Sequence, residues 1–264
     1  MSIIYINPYQ FAAAYDPDAQ AYITAVETAD GQALEVGVKD AINAFVVGCK
    51  ADGIWSAIKA SCILAGARTL AGALVPLVGT APTNNNFVSG DYNRETGLVG
   101  DGSTKYLDSN RTATATSPTN YHQAVYMSEK PTVDGSFIRS DDVTTQRYLL
   151  YYNVSADETR AISGTAPSAY LGGAGSIETG FKGVSRDNSS TFDARANSTT
   201  STTSASAGAS TALTSFVFAG NVRGSATAYS DARIAFYGIG ESLDLALLDP
   251  RVTTLMSAIG AAIP

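Results

Sequence analysis

The second part of the chain is a series of short strand-forming runs, and this pattern limits the fold more than any other feature. The runs are rich in Tyr, Phe, Val and Ile and cover residues 121–127, 147–154, 181–184, 213–218 and 233–239. Clusters of Gly, Asn, Asp and Ser separate them. Several short strands joined by such turns are typical of a β-sandwich or barrel. We therefore predict a β-sandwich over residues 84–264.

A helix is predicted after the last of these runs. Asp249 and Pro250 predict its start, because Asp caps free backbone N–H groups and Pro suits the first helical position. An apolar stripe follows and ends at Gly260. The residues of the stripe are Val252, Leu255, Met256 and Ile259.

Residues 18–83 have the period of helices instead of strands. A first helix is predicted from the cap Asp18 to Gly31, with Tyr22, Ile23 and Val26 on its apolar face. A second helix buries Val38, Ile42, Phe45 and Val46, and a third buries Ile54, Trp55, Ile58 and Cys62 before Gly66. Glycines and prolines then interrupt residues 70–82. This segment is predicted to be a helical N-terminal unit with a linker.

Residues 1–17 are an apolar arm that precedes both units. Its strand-forming pattern is interrupted by Pro8 and Pro17, which separate it from the helices. We predict that the arm is a subunit interface that adds a strand to a neighbouring molecule. The candidate interface residues are Ile3, Ile4, Tyr5, Ile6, Tyr9 and Phe11. The alternative is that the arm packs on its own domain.

Residues 196–222 contain no charged side chain and are rich in Ser and Thr. One interpretation is a low-complexity linker. The other is a set of exposed strands and loops of the sandwich, since Thr is a good strand former. The composition leads us to prefer the second.

The charge of the chain excludes several classes of partner. The 264 residues carry a formal net charge of −7, and only 16% are charged, against about 25% in typical soluble domains. Binding of nucleic acid needs clustered Lys and Arg, so neither nucleic acid nor an anionic membrane is expected as a partner. No apolar run has the length of a membrane span. No signal-peptide pattern opens the chain.

Few residues could carry nucleophilic, metal or redox chemistry. His122 is the one histidine, and we interpret it as structural or as a surface residue. Cys49 and Cys62 are thirteen positions apart, which matches no zinc or redox motif. Two buried thiols in a reducing compartment are predicted, and a disulfide is the alternative.

Carboxylates are the other candidates. Asp91 with Glu95, and Asp157 with Glu158, lie among turn residues and are interpreted as solvated instead of as a glycosidase pair. Two further loops, around Asp101 and at residues 141–142, are rich in oxygen ligands but lack the spacing of an EF-hand. Binding of an ordered calcium ion at these loops is therefore kept as an alternative. The sequence predicts no catalytic, cofactor or metal site.

Two segments resemble parts of the laminin-G-like and concanavalin-A-like jelly rolls. Residues 97–110 (GLVGDGSTKYLDSN) resemble the opening strand pair, with Tyr106 as the aromatic strand residue after a Gly-rich turn. Residues 233–244 (RIAFYGIGESLD) resemble the last strand of the same fold. The resemblance implies a mainly β, jelly-roll sandwich with N-terminal helices and a C-terminal helix.

A longer resemblance covers most of the chain. Residues 45–70, 90–98 and 236–244 are similar to a module of tailed-bacteriophage virion proteins; they read FVVGCKADGIWSAIKASCILAGARTL, GDYNRETGL and FYGIGESLD. The resemblance implies a non-enzymatic structural protein of the virion, assembled in the host cytoplasm. It would be a capsid decoration or cement subunit, or a small tail accessory protein. Its expected partners are other virion proteins and further copies of itself, for example in a trimer, and no cofactor is expected.

A second hypothesis is a carbohydrate-binding adhesin that recognises a host surface glycan. Tyrosines exposed on the strands could stack on sugar rings. The candidates are Tyr121, Tyr126, Tyr148, Tyr151 and Tyr152. A glycan-degrading enzyme is a third hypothesis and would need two carboxylates that converge in the fold.

Overall fold

The computed structural model describes residues 14–115, 117–143, 146–165, 168–171 and 179–264. Within these ranges the chain forms four α-helices and 17 β-strands. The helices are α1 (Pro17–Asp30), α2 (Val36–Ala51), α3 (Leu70–Ala73) and α4 (Leu245–Ala262). The strands are β1 (Ile58–Ile63), β2 (Thr83–Asn85), β3 (Tyr92–Asn93), β4 (Gly97–Val99), β5 (Tyr106–Thr112), β6 (Tyr121–Glu129), β7 (Gly135–Asp141), β8 (Arg147–Asn153), β9 (Glu158–Gly164), β10 (Ala169–Leu171), β11 (Gly180–Arg186), β12 (Thr191–Ala196), β13 (Thr199–Ser204), β14 (Thr214–Val217), β15 (Gly220–Val222), β16 (Ser225–Thr227) and β17 (Arg233–Gly240).

The strands form two sheets that pack face to face. Sheet A has the order β13-β12-β11-β6-β17-β4-β3, and β1 also pairs with β17. Sheet B has the order β10-β9-β8-β7-β14-β5-β2, with β15 beside β7 and β16 beside β15. The strand pairs of the described ranges are antiparallel except for β15 with β7. The predicted mainly β, jelly-roll-like sandwich with flanking helices is confirmed.

The central strands of sheet A are buried on both faces, whereas the side chains of its edge strand β13 are mostly exposed. Successive side chains of a strand point to opposite faces. In β6, Tyr121, Val125 and Met127 lie in the core between the sheets, whereas Ala124 and Tyr126 face the helices. Two apolar cores therefore share this sheet.

Helices α1, α2 and α4 form the second core with sheet A. Phe45 of α2 contacts Phe236 of β17, with the ring centroids 5.9 Å apart. The residues predicted for the first two helical faces are all buried, which confirms both helices. No helix in the described ranges is long and apolar enough to cross a membrane.

The start of α1 differs slightly from the prediction. Asp16, not Asp18, is the cap, and its carboxylate accepts a hydrogen bond from the backbone N–H of Asp18 at 3.0 Å. Pro17 then occupies the first turn, where its missing N–H has no consequence. Gly31 ends the helix in the left-handed conformation, as predicted.

The third predicted helix is wrong, because residues 58–63 form β1. Ala60, Cys62 and Leu64 lie in the core between the sheets, and Ile58 and Ile63 face the helices. A strand that is buried on both faces has no polar alternation. Its apolar run therefore also fits a helical period.

Strand β1 joins sheet A through its pairing with β17. Gly240, at the end of β17, allows this close approach, because a Cβ atom there would lie 1.9 Å from the carbonyl oxygen of Ala57. β1 precedes the predicted boundary at residue 84 and β17 follows it. Both sides of that boundary thus contribute strands to the same sheet.

The predicted start of the C-terminal helix is also wrong. α4 begins at Leu245, capped by Asp244, and Pro250 lies inside it. Asp249 does not cap the helix, because its buried carboxylate forms an ion pair with Arg195 at 2.8 Å. The predicted apolar stripe of the helix is buried, as expected.

Two further predictions are confirmed. The uncharged Ser/Thr segment forms strands of the sandwich, including β13, whose side chains are mostly exposed. Cys49 and Cys62 are both buried as free thiols. Burial raises the pKa of each thiol to about 12, so both remain protonated at neutral pH.

Candidate functional site

A groove of about 320 Å³ lies on the outer face of sheet B. Strands β7, β8 and β9 supply most of it. We call it the arginine groove, and its lining residues are Arg139, Arg147, Leu149, Tyr151, Arg160, Ile162, Ser168 and Ala228.

Strand alternation directs these side chains outward. In β8, Arg147, Leu149 and Tyr151 alternate with residues of the core between the sheets. Leu149 is paired with Ile162 across β8 and β9, and both are almost fully buried. These two residues form an apolar floor, with the arginines and Tyr151 around it.

A buried carboxylate holds two of the arginines. Asp141 accepts hydrogen bonds from Nε and Nη2 of Arg139 at 3.1 and 2.6 Å. It also accepts one from Nε of Arg147 at 3.2 Å. The side chain of Asp141 is inaccessible to solvent, whereas those of Arg139 and Arg147 retain 13% and 29% exposure. Asp141 therefore lies behind the guanidinium groups and orients them.

Arg160 is held from one side by Glu158. The Nε of Arg160 donates to Glu158 at 2.7 Å, and this hydrogen bond raises the pKa of Arg160. The guanidinium also lies over the ring of Tyr170, 5.6 Å from its centroid, which is a cation–π distance. Tyr170 is 57% exposed, so its other face is open to solvent.

Tyr151 is adjacent to Arg160, its partner across β8 and β9. Burial raises the pKa of Tyr151, and the nearby carboxylate of Asp134 raises it further, against the opposing effect of Arg139 and Arg160. The phenol is therefore neutral at physiological pH, and the carboxylate of Asp134 is a hydrogen-bond acceptor for it.

The chemistry of the arginine groove favours binding. Its described lining consists of guanidinium donors, one phenol, one serine and an apolar floor. Guanidinium groups bind oxygen acceptors through a rigid fork of N–H groups. An aromatic or apolar surface next to them suits a ligand with one apolar face and one polar edge.

The sequence predicted only part of this site. Of the five candidate tyrosines, Tyr121, Tyr148 and Tyr152 are buried between the sheets and cannot stack on a ligand. Tyr126 is packed against the helical core. Tyr151 alone of the five lines the arginine groove.

The remaining groove residues were missed. Arg139, Arg147 and Arg160 are far apart in sequence and form no local motif. The alternation in β8 could have indicated part of the groove, because Arg147 and Tyr151 lie on one face of the strand and the core residues lie on the other.

The predicted arm interface cannot be located. Its residues lie outside the part of the chain that the structure describes. They are Ile3, Ile4, Tyr5, Ile6, Tyr9 and Phe11.

His122 is fully buried near the start of β6, on the side of the helices. Its Nδ1 donates to the carbonyl oxygen of Glu241 at 2.5 Å. Burial, together with the smaller effect of the Arg111 charge, lowers the pKa of His122 to about 4, against the opposing effect of the hydrogen bond to Glu241. The interpretation as a structural histidine is consistent with this position.

The predicted acidic candidates have structural partners. Asp91 pairs with Lys105 at 2.6 Å, and Asp157 pairs with Lys130. The loop at Asp101 is closed by hydrogen bonds from its own backbone N–H groups. Among the described residues, no three His, Cys, Asp or Glu side chains come together as a metal site.

Comparisons with known proteins give the chain no family. No family model matches it, and no curated protein matches it at a significant level. Solved structures similar to parts of it include a sialidase from Trypanosoma rangeli in complex with 2,3-difluoro-KDN (10% identity, TM-score 0.49, 78% of this chain and 33% of that one). Another is NanB sialidase from Streptococcus pneumoniae, with 8% identity and a TM-score of 0.36 over 49% of this chain and 23% of that one. A third is a GH54 α-L-arabinofuranosidase, with 9% identity and a TM-score of 0.42 over 63% of this chain and 41% of that one. The chain thus spans less than half the length of each.

Proposed function

We propose that this protein is a non-enzymatic virion protein of a tailed bacteriophage that binds glycans through the arginine groove. The observation that carries the glycan-binding part is the groove itself, on the outer face of sheet B. The helices pack on the other side of the sandwich, so the two outer faces have different tasks in this proposal. The virion part rests on the resemblance of residues 45–70, 90–98 and 236–244 to phage virion modules.

A sugar ring fits the chemistry of the groove. It has an apolar face of C–H groups and an edge of hydroxyl groups. Leu149 and Ile162 supply an apolar floor for the ring, and Tyr151 supplies an aromatic edge. The arginines supply several N–H donors to ring oxygens.

Tyr170 extends the groove toward a second sugar. Its ring is supported on one side by the guanidinium of Arg160 and exposed on the other. Exposed aromatic rings that are held in place lose little entropy when a ligand stacks on them. An oligosaccharide could therefore occupy both the floor and the ring of Tyr170.

Glycan-array binding tests this part of the proposal. The wild-type protein is compared with the double variant Tyr151→Ala/Tyr170→Ala, and Tyr15→Ala on the side of the helices is the control. We expect array binding by the wild type and by the control, with loss in the double variant. Equal binding by all three, or none by the wild type, would contradict glycan binding through this groove.

Particle composition tests the virion part. We propose a capsid decoration or cement subunit, or a small tail accessory protein, that is present as an oligomer such as a trimer. Quantitative mass spectrometry of purified particles measures the copy number, and immuno-electron microscopy gives the location. Hundreds of copies on the capsid indicate decoration, and a handful at the tail indicates a tail component. Absence from purified particles would contradict a virion role.

The N-terminal arm is the proposed contact with neighbouring virion subunits. Deletion of residues 2–11 is expected to reduce incorporation into particles while the sandwich remains folded. Circular dichroism verifies the fold, and the incorporated fraction is measured by quantitative blotting. Full incorporation of the deleted protein would show that the arm is not the contact.

A further inference from the structure

We infer that the arginine groove selects acidic glycans by binding the carboxylate of a sugar between Arg139 and Arg147. The inference rests on the proposed glycan-binding function and specifies the ligand class of the same groove. It is carried by the position of Asp141 relative to the two arginines.

The charges at the groove are arranged in two layers. The described lining includes three arginines and no carboxylate. Asp141 lies beneath, with no solvent-accessible side-chain surface, and Glu158 has only 16%. At the Arg139 and Arg147 end of the groove a ligand therefore meets cationic groups with Asp141 behind them, whereas the exposed carboxylate of Asp134 lies beside Tyr151.

Asp141 does not use all the N–H groups of Arg139 and Arg147, so some of them can donate to a ligand. It uses Nε and Nη2 of Arg139 but only Nε of Arg147. Within the described residues, the Nη groups of Arg147 and Nη1 of Arg139 donate to no protein acceptor. Two guanidinium groups are thus fixed in orientation by one carboxylate and present their remaining N–H groups at the same end of the groove.

A carboxylate is the acceptor that uses this arrangement most fully. Its two coplanar oxygens match the fork of a guanidinium, and charge-assisted hydrogen bonds are roughly twice as strong as neutral ones. A hydroxyl group offers one oxygen and no charge. The apolar floor beside Arg139 holds the ring that carries the acid group.

The net charge of the protein cannot explain a preference for acidic glycans. At −7 the molecule as a whole repels anions. A preference for an acidic ligand over its neutral form cannot come from general attraction, so it would report the arginines of the groove.

Matched oligosaccharide pairs test the inference by isothermal titration calorimetry. The acidic probes are oligomers of galacturonate, of hyaluronan and of α2,8-linked sialic acid, each compared with its own methyl ester. We expect at least one acid to bind tenfold or more tightly than its ester. If no acid is preferred to its ester, the inference is wrong. Dextran sulfate against dextran forms a separate arm, and preference for the sulfated probe over all the carboxylated ones would overturn the carboxylate assignment.

Variants locate the effect. Arg147→Gln removes one guanidinium while Asp141 stays paired with Arg139, and we expect at least a tenfold loss of affinity for the acid with little change for the ester. Arg147→Lys keeps the charge without the fork and should lie between wild type and Arg147→Gln. Arg251→Gln on α4 makes the same change of charge on the side of the helices and should bind as the wild type does. Thermal unfolding verifies that each variant folds.

Equal affinities of the Arg147 and Arg251 variants would overturn the inference. Its failure can be told apart from failure of the proposed function. If neutral glycans bind, and Tyr151→Ala/Tyr170→Ala abolishes that binding, the groove is a glycan site without acid selectivity. If no glycan binds at all, both proposals fail.

Discussion

In both sheets of the sandwich, successive side chains alternate between the core and the outer face, but the two outer faces differ in composition. The outward residues of sheet A, such as Phe181 and Phe236, are buried under helices. Those of sheet B include Arg139, Arg147 and Arg160, which line a groove. The same backbone geometry thus gives a packing surface on one side and a binding surface on the other.

The difference lies in the residue type at alternate positions. Strand β17 in the centre of sheet A is apolar or small at both parities from Ile234 to Gly240, because both of its faces are buried. A strand of sheet B such as β8 is apolar at one parity and carries Arg147 and Tyr151 at the other. Stability should therefore depend strongly on the outer face of sheet A and weakly on the exposed side chains of the outer face of sheet B, whereas binding should depend on sheet B.

Phe236→Ala is expected to give the largest effect. The side chain is fully buried and contacts Phe45, so its truncation leaves a cavity between β17 and α2. Such changes cost about 3–5 kcal/mol of unfolding free energy. Urea unfolding followed by circular dichroism measures the loss.

Tyr170→Ala is the matched control on sheet B. It removes an aromatic ring from the outer face of that sheet, where the residue is 57% exposed. Exposed substitutions usually change stability by less than about 0.5 kcal/mol. A similar loss in both variants would mean that the two outer faces do not differ in the way we infer.

The same contrast explains which parts of the fold could be predicted from sequence. The strand runs of sheet B alternate, and those of both sheets are bounded by turn residues, so their positions were predictable. Residues 58–63 were not, because Ala60 and Cys62 face one core while Ile58 and Ile63 face the other. Periodicity cannot separate a strand buried on both sides from a helix.

The site was less predictable than the fold. Arg139, Arg147 and Arg160 come together only because β7, β8 and β9 are neighbours in sheet B. Tyr148 and Tyr151 differ in role through parity alone, since one is in the core and the other lines the groove. Asp249 and Pro250 look like a helix start, but the tertiary ion pair with Arg195 takes up the carboxylate.

His122 makes the helix side of sheet A sensitive to pH. Its pKa is about 4 in the folded protein, because the ring is buried, and near 6.5 when the chain is unfolded. The stabilising contribution is complete above pH 6.5 and is lost as the pH falls toward 4, because only the unfolded chain takes up the proton in that range. The expected loss is about 3 kcal/mol, at roughly 1.4 kcal/mol for each pH unit of difference.

Urea unfolding between pH 7 and pH 4 checks this prediction. The variant His122→Gln has no titrating group at this position, so its stability should vary less over the same range. Carboxylates with lowered pKa values also lose their contribution from about pH 5 downward, in the wild type and in the variant alike, so the difference between the two profiles reports His122. Parallel pH profiles for the wild type and the variant would contradict the assignment to His122.

Asp249→Asn is expected to cost about 2 kcal/mol. The carboxylate of Asp249 accepts from Nε of Arg195 and from the backbone N–H of Ser198, both at 2.8 Å, and joins α4 to the edge of sheet A. Asparagine keeps one oxygen acceptor but removes the charge opposite Arg195, and hydrogen bonds to charged groups contribute about 1.5–3 kcal/mol. Thermal and urea unfolding measure the change. The variant Asp244→Asn, at the exposed cap of the same helix, is the control and should lose less.

Arg160→Gln is expected to have a small effect on stability and is the sharpest test of the comparison. The change removes the ion pair with Glu158 and the cation–π contact with Tyr170, but the arginine side chain is 38% exposed. Ion pairs at such positions contribute about 0–1 kcal/mol, and salt screens them. We therefore expect a loss below about 1 kcal/mol that shrinks further in 0.5 M NaCl, measured by urea unfolding at both salt concentrations. A loss above about 2 kcal/mol that salt does not reduce would mean that the outer face of sheet B is part of the stabilising core, and that its arginines are held there for stability instead of for binding.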